Sequence, residues 1–261
     1  DIGQWKDFLR RLSNPKRTLK IGLIGKYIEL KDSYISIHES LMHAGAVSES
    51  AVDIRWIHSE SINDSNVADE LGGLDGVLVA PGFGERGIEG KITAVKYARE
   101  NKIPFLGICL GMQCAVIEYA RNVVGLKNAH STEINESTDH PVIFLMEDQK
   151  GVTDKGGTMR LGAYECAIGK GSKAFNAYSK ELITERHRHR FEFNNNYLED
   201  FAKAGMKATG VNPTGKMVEI VEVEDHPWFV GVQFHPEYSS TVLNPHPLFV
   251  EFLGATIKEK V

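Results

Sequence analysis

The sequence predicts an α/β protein with a doubly wound, mostly parallel β-sheet, flanking helices and a smaller antiparallel portion. Two observations support this class. Apolar runs typical of buried strands alternate with amphipathic helical segments up to residue 121, which is the pattern of βαβ units. Between residues 206 and 234 three apolar runs follow one another with short turns, which is typical of antiparallel strands.

The first half of the chain alternates regularly between the two kinds of element. An amphipathic helix at residues 4–12 ends at Asn14-Pro15. Apolar periodicity then predicts strands at residues 18–24, 52–58, 75–80 and 103–108, and helices at residues 33–46, 64–71, 88–101 and 110–119. The loop at residues 81–87 contains too many glycines to be either.

Beyond residue 121 the segments become shorter and more polar. Residues 125–170 mix turns and short strands, with a mobile surface loop predicted at 147–157 and a strand at 157–168. The remaining predicted elements are a helix at 195–204, strands at 206–211, 217–223 and 228–234, and a closing helix at 247–258. The absence of repeats and low-complexity segments in the sequence favours one contiguous domain.

Composition limits the class of partner. A net charge of −5 gives no reason to expect nucleic acid or an anionic membrane, and no apolar run approaches membrane-spanning length. The three cysteines, Cys109, Cys114 and Cys166, are too few and too poorly spaced for a disulfide framework or a zinc site. We therefore expect no metal and a reducing, cytoplasmic setting.

Cys109 follows the strand at 103–108 in the run Gly-Ile-Cys-Leu-Gly-Met-Gln, residues 107–113. A sharp strand-to-helix turn strains its central residue, and flanking glycines let neighbouring backbones approach. The helix N-terminus offers partial positive charge and free N–H groups, which favour a thiolate and can stabilise an oxyanion. Cys109 is therefore the candidate nucleophile, although the pattern alone also fits a small buried cysteine.

The last predicted strand leads into His235-Pro236-Glu237. Side chains two residues apart at a strand end can point the same way, and the proline stiffens the pair. Glu237 could hold the imidazole of His235 while His235 takes and returns a thiol proton. Taken alone, the pair also fits a surface histidine beside a solvated glutamate. Together with Cys109 it predicts a Cys–His–Glu triad.

The nucleophile run followed by a late His-Pro-Glu resembles the class I glutamine amidotransferases. Further runs resemble, more narrowly, the glutaminase half of CTP synthase over the length of the chain. These runs are Lys20-Ile-Gly-Leu-Ile-Gly-Lys-Tyr27, Ser131-Thr-Glu133, Gly157-Thr-Met-Arg-Leu-Gly162, Arg186-His-Arg-His-Arg-Phe191 and His226-Pro-Trp-Phe229. Nothing in the sequence resembles the family's other half, the amidoligase with its phosphate loop.

The resemblance implies an amidotransferase-like, flavodoxin-like fold in residues 18–261, with residues 1–17 as a linker helix to an N-terminal synthetase domain. It implies hydrolysis of L-glutamine to glutamate and ammonia through a thioester on Cys109. The ammonia would serve the ATP-dependent amination of UTP to CTP. No cofactor is expected in this domain, whereas ATP and Mg²⁺ would act in the synthetase half and GTP would be an allosteric activator.

For the oxyanion hole, the resemblance implies the backbone N–H groups of Gly82 and Leu110. The family usually reads Pro-Gly-Gly-Phe-Gly in this loop, whereas this chain reads Ala80-Pro81-Gly82-Phe83-Gly84. Pro81 has no N–H, so a hole that used that amide would lose a donor. Gly82 keeps its N–H, and both implied donors belong to backbone that needs no side-chain ordering.

For substrate binding, the resemblance implies that Glu133 meets the ammonium of glutamine while Arg190 and Gln113 fix the amino-acid end. From local sequence alone, Glu133 could be an ordinary exposed acid and Arg190 one member of a solvated basic run. The run at residues 186–190 could also suggest RNA, but it alternates at strand spacing without aromatic residues between the arginines.

The loops that match the family's lid and GTP-responsive region carry Phe83, Arg86, Glu89 and Leu161, which are candidate effector residues. Three functions remain open from the sequence. The first is a glutaminase domain that feeds a synthetase half. The second is a free-standing class I amidotransferase or related hydrolase of another pathway. The third is a catalytically silent assembly module, which the presence of all three triad residues disfavours.

Overall fold

The structure, a computed structural model, describes residues 2–145 and 159–258. The helices are α1 (Ile2–Ser13), α2 (Ile35–Val47), α3 (Val67–Leu71), α4 (Ile88–Glu100), α5 (Leu110–Tyr119), α6 (Lys173–Tyr178), α7 (Leu198–Ala204) and α8 (Pro247–Lys258). The strands are β1 (Arg17–Gly25), β2 (Ser50–His58), β3 (Gly76–Val79), β4 (Phe105–Ile108), β5 (His130–Ser131), β6 (Pro141–Leu145), β7 (Arg160–Ile168), β8 (Leu182–His189), β9 (Phe191–Phe193), β10 (Met206–Val211), β11 (Val218–Val223) and β12 (Phe229–Val232).

Within the described ranges, nine strands form one sheet in the order β2-β1-β3-β4-β12-β11-β10-β7-β8. Pairing is parallel from β2 to β12 and antiparallel from β12 to β8. The predicted doubly wound sheet with an antiparallel portion is confirmed. That portion extends the main sheet, and a further three-stranded sheet, β5-β6-β9, was not predicted.

Helices cover both faces of the main sheet. On one face α3, α4, α5 and α7 pack around buried side chains such as Val95 and Phe201. On the other face α2, α6 and α8 bury side chains such as Leu41 and Phe249. Strand residues supply both layers because successive side chains point to opposite faces. The central strands β3, β4 and β12 are buried throughout, as expected for parallel strands covered on both sides.

Most sequence-based boundaries agree with the structure, with a few differences. The helix predicted at 64–71 begins only at Val67, and the one predicted at 195–204 starts with a 3₁₀ turn, Asn195–Tyr197. A π-helical turn, Ala120–Val124, extends α5, and α6 was not predicted. The loop predicted at residues 147–157 lies outside the described residues, as does the start of the strand predicted from residue 157. No helix in the described ranges is long and apolar enough to cross a membrane.

His226 holds the entry of β12 against the end of α4. Its Nδ1 accepts the backbone N–H of Trp228 at 3.3 Å, and its Nε2 faces the carbonyl oxygen of Ala98 at 3.4 Å. A main-chain N–H can only donate, so Nδ1 must be unprotonated and Nε2 must carry the hydrogen. Burial, with help from the positive charge of Lys102, lowers the pKa of His226 to about 4.

We expect acidification to destabilise the fold through this histidine. In the unfolded chain histidine takes up a proton near pH ~6.5, whereas folded His226 resists until about pH 4. The contribution of His226 to the free energy of unfolding is therefore complete above the unfolded pKa. It is lost as the pH falls from the unfolded pKa to the folded pKa. Urea unfolding at several pH values should show a declining free energy of unfolding, and His226→Asn should flatten the decline. His38→Asn, at a half-exposed position, should leave the decline unchanged. If the free energy of unfolding fell equally steeply with pH in both variants, His226 would not be the histidine responsible.

Candidate active site

The predicted nucleophile and base lie at the ends of two neighbouring parallel strands. Cys109 follows β4 and His235 lies just beyond β12, and these strands pair in parallel with Ile108 opposite Val232. The Cys109 N–H donates to the Val232 carbonyl at 2.7 Å, which extends the ladder to the nucleophile itself. Carboxyl ends of parallel strands are where α/β proteins place ligands.

Cys109 has the strained backbone that the sequence predicted. Its φ of 52° and ψ of −102° lie outside the regions that non-glycine residues favour. The two flanking glycines are needed because space is short: a Cβ on Gly107 would lie 2.8 Å from the backbone of Gly111, and a Cβ on Gly111 would lie 2.2 Å from the Val79 carbonyl oxygen. The thiol is thereby presented at the N-terminus of α5.

His235 and Glu237 form a buried pair. Imidazole Nδ1 lies 2.8 Å from Glu237 Oε1, and the His235 N–H donates to the Arg186 carbonyl at 2.8 Å. The ring stacks on Tyr238 with centroids 5.3 Å apart. Nε2, on the opposite side of the ring, is buried and makes no hydrogen bond to any described residue. The carboxylate therefore orients the ring and leaves Nε2 available for proton transfer.

The charge state of His235 depends on Cys109. Burial disfavours the imidazolium, but charge interactions and hydrogen bonding with Cys109 and Glu237 outweigh it and raise the pKa of His235 to about 11. His235 is therefore positively charged at neutral pH and can donate a proton beside the Cys109 sulfur. A nucleophile and a proton donor side by side are what an acyl-transfer site requires.

Two buried lysines fix the loop at residues 80–84. Lys91 donates from Nζ to the Ala80 carbonyl at 2.7 Å, and Lys26 donates to the carbonyls of Phe83 and Gly84. Burial lowers the pKa of Lys91 to about 8 and also lowers that of Lys26. A Cβ on Gly82 would lie 3.4 Å from Leu110 Cδ2 and 3.8 Å from Lys91 Nζ. The two predicted oxyanion positions, Gly82 and Leu110, are therefore brought together beside positive charge.

The residues predicted to bind the amino-acid end of glutamine share one cleft of about 530 Å³ with Cys109 and His235. Glu133 Oε1 accepts the Gly84 N–H at 2.9 Å, and Gln113 Nε2 donates to the Phe191 carbonyl at 3.0 Å. Arg190 Nε is buried without a hydrogen-bond partner among the described residues. The cleft therefore offers both signs of charge. Its other lining residues are Tyr27, Ser33, Tyr34, Pro81, Gly82, Phe83, Met159, Arg188, His189, Phe191 and Tyr238.

Comparison with known proteins places this chain in a family. The model of the family described as glutamine amidotransferase class-I matches residues 29–255. The chain belongs to this family. It is 61% identical over 257 residues to a CTP synthase of Flavobacterium johnsoniae, covering 98% of this chain and 48% of that protein. It is 63% identical over 255 residues to a CTP synthase of Cytophaga hutchinsonii, covering 98% and 47%.

A solved structure resembles this amidotransferase chain over nearly its full length. It is the glutaminase domain of Trypanosoma brucei CTP synthase with bound acivicin, with a TM-score of 0.86, 38% identity, and coverage of 92% of this chain and 94% of that one. The predicted resemblance to the glutaminase domain of CTP synthase is thus confirmed, and the chain is the glutaminase part of an enzyme. It spans about half the length of the curated relatives it matches.

The candidate effector residues of the amidotransferase domain are not all in the cleft. Phe83 lines it and is strongly exposed, and Leu161 is exposed on β7. Arg86 pairs with Glu60 at 3.2 Å. Glu89, on α4, pairs with Arg121 at 2.9 Å, and hydrogen bonding with His130 lowers the pKa of Glu89 to about 2.

Several residues of the site were not identified from the sequence. Lys26 follows a buried strand at the same sheet edge as Cys109, which was a usable signal. Lys91 lies three residues after Ile88 on α4, and helical spacing alone places it on the buried side. Gln233 is fully buried, with Nε2 3.6 Å from Cys109 Sγ, and no local pattern distinguishes it from other strand residues.

The basic run at residues 186–190 contributes to a buried polar cluster behind the cleft. On β8 the side chains of Arg186 and Arg188 are exposed, whereas His187 and His189 are buried. His187 Nδ1 lies 3.0 Å from His189 Nε2, and His187 Nε2 lies 3.4 Å from Glu219, which also pairs with Arg160 at 2.7 Å. Burial, reinforced by the charge of Arg160, lowers the pKa of His187 to about 2 and that of His189 to about 3.

Proposed function

We propose that this chain hydrolyses L-glutamine to glutamate and ammonia through a glutamyl thioester on Cys109. The observation that carries the proposal is the placement of Cys109, at a strained turn, beside the buried His235–Glu237 pair in one cleft. Membership of the class I glutamine amidotransferases supplies the substrate class. The 38% identity to the glutaminase domain of T. brucei CTP synthase supports the same activity.

In the first half-reaction the Cys109 thiolate attacks the side-chain amide carbon of glutamine. The negative charge that develops on the amide oxygen is stabilised by the N–H groups of Gly82 and Leu110, and the two lysines behind the loop add positive potential. His235 Nε2 protonates the departing nitrogen, so the C–N bond breaks, ammonia leaves and the thioester remains.

In the second half-reaction water cleaves the thioester. Neutral His235 now removes a proton from the water as its oxygen attacks, and Glu237 stabilises the imidazolium that forms. The C–S bond breaks and glutamate leaves. The proton on His235 restores the starting thiolate–imidazolium pair.

The charged end of glutamine is held by opposite charges in the cleft. We assign its ammonium to Glu133, which the Gly84 N–H holds in place, and to the side-chain carbonyl oxygen of Gln113. We assign its carboxylate to Arg190, whose buried Nε lacks a partner among the described residues. An uncompensated buried donor of this kind is stabilised when an anion binds.

The setting we propose is a synthetase domain of the same polypeptide that uses the ammonia, with ATP and Mg²⁺, to convert UTP to CTP. It rests on the CTP synthase relatives, of which this chain spans about half. In that setting residues 1–17 form the linker, consistent with an α1 that buries none of its residues. Phe83, Arg86, Glu89 and Leu161 remain our candidates for the response to GTP.

Covalent labelling with a glutamine-mimicking diazo ketone, 6-diazo-5-oxonorleucine, tests the proposal. We expect one adduct on intact-mass analysis, mapped to Cys109 and slowed by free glutamine. Burial raises the pKa of the Cys114 thiol to about 11 and that of the Cys166 thiol further still, so both should remain unlabelled.

The same experiment separates the alternative functions. Labelling of Cys114 or Cys166, or labelling that glutamine does not slow, would indicate a catalytically silent module. Labelling of Cys109 with glutamine turnover, but no CTP formation by the polypeptide that contains this domain, would favour an amidotransferase of another pathway.

A further inference from the structure

Gln233 occupies a position that the proposed reaction leaves unexplained. It lies directly after β12 and is fully buried between Gln113 and Cys109. Its Oε1 lies 3.2 Å from Gln113 Nε2, and its Nε2 lies 3.6 Å from Cys109 Sγ. The Gln233 backbone N–H donates to the Glu219 carbonyl at 2.9 Å, so the residue is anchored at both ends.

The network determines which way each amide points. The Phe191 carbonyl can only accept, so the Gln113 atom 3.0 Å from it must be the NH₂ group. That NH₂ also reaches Gln233, whose facing atom must then be the carbonyl oxygen. The NH₂ group of Gln233 is left pointing at the sulfur. The Phe191 carbonyl therefore fixes which atom of the Gln113 amide, and then of the Gln233 amide, is the nitrogen and which is the oxygen.

We propose that Gln233 is a positioning residue that donates an amide hydrogen bond to the Cys109 sulfur, with Gln113 setting its orientation. A donor stabilises a sulfur anion more than a neutral thiol, so the contact favours the nucleophilic form. It also restrains the sulfur on the side of the cleft that faces Gln113. The inference rests on the proposed role of Cys109 as nucleophile.

The arrangement connects the substrate end of the cleft to the nucleophile. Gln113 lines the cleft, and with its NH₂ committed to Phe191 and Gln233 its carbonyl oxygen remains for the substrate ammonium. When the substrate ammonium draws electron density from the Gln113 carbonyl, the Gln113 NH₂ becomes a stronger donor to Gln233. The Gln233 NH₂ is polarised in turn. Bound glutamine therefore strengthens the hydrogen bond to sulfur.

The test measures the rate of Cys109 alkylation by iodoacetamide as a function of pH, without glutamine. Gln233→Met keeps length and neutrality but removes the donor, and Gln233→Glu keeps the acceptor toward Gln113 but places an oxygen beside the sulfur. We expect the midpoint of the profile to rise by about one pH unit in Gln233→Met and further in Gln233→Glu. We expect kcat for glutamine hydrolysis to fall about tenfold in Gln233→Met with KM little changed.

Controls separate this role from packing and from the proposed function. Cys166→Ala, a buried change on β7 outside the cleft, should leave the alkylation midpoint unchanged. Gln113→Met should also raise the midpoint of the alkylation profile, because Gln233 loses its orienting partner. This variant tests the same hydrogen bond if one of the Gln233 variants does not fold. An unchanged midpoint in folded Gln233 variants would overturn the inference. Absence of alkylation at Cys109 in the parent would instead overturn the nucleophile assignment.

Discussion

Replacement of Cys109 by alanine is expected to reduce glutamine hydrolysis by at least about a thousandfold while leaving the fold intact. In the proposed mechanism the Cys109 sulfur forms the covalent bond, and no described neighbour in the cleft offers a second thiol. The fold should tolerate the change because alanine keeps the Cβ and only one small, largely buried atom is removed. Ammonia release measures the first expectation and urea unfolding the second.

Cys114→Ala provides the matched control for this prediction. Cys114 lies on α5, the helix that begins directly after Cys109, is fully buried and does not line the cleft. The variant should lose some packing but keep glutamine turnover within a few-fold of the parent. If Cys109→Ala retained most of its activity, or if both variants lost it equally, Cys109 would not be the nucleophile.

Gly111→Ala should destabilise the protein by about 3 kcal/mol or more. The added Cβ would lie 2.2 Å from the Val79 carbonyl oxygen, far inside contact distance. Neither partner can rotate away, because one belongs to the first turn of α5 and the other to the buried strand β3. Relief requires the helix to move off the sheet, which would displace Cys109 as well. Urea unfolding and the glutaminase assay should therefore both register the change.

Gly169→Ala is the matched control for the same substitution. A Cβ there would meet only the Thr209 carbonyl oxygen at 3.6 Å, an ordinary contact. We expect a change within about 0.5 kcal/mol and unchanged turnover. Equal stability of the two variants would show that α5 and β3 are not packed as closely as the structure has them.

The sequence predicted the order of elements well because that information is local. Apolar residues repeat at a different spacing in strands than in helices. In the first half of the chain, glycines or prolines mark most ends of these elements. The short elements were harder: α6 spans only six residues and β5 only two, too few for a period to be read. The pairing of β12 with β4 depends on contacts between distant segments, so no local pattern could show it.

For the candidate site, local patterns identified groups whose chemistry depends on sequence neighbours. Cys109 between its glycines and His235 two residues before Glu237 are of this kind. The roles of Gly82, Glu133 and Arg190 came from family resemblance and stay predictions. Lys91 and Gln233 were missed because their surroundings come from other elements: a loop carbonyl for Lys91 and a sulfur atom for Gln233.

The parallel pairing of β4 with β12 has a consequence for synthesis of the protein. During translation Cys109 leaves the ribosome well before β12 and the proposed base that follows it, because residues 109–228 lie between β4 and β12. Until β12 takes its place beside β4, the thiol lacks His235, Glu237 and Gln233 together. Under the proposed mechanism, the nascent chain therefore carries Cys109 without the groups that would activate it. The proposed reactivity of Cys109 then depends on closure of the central sheet, which confines it to the finished fold.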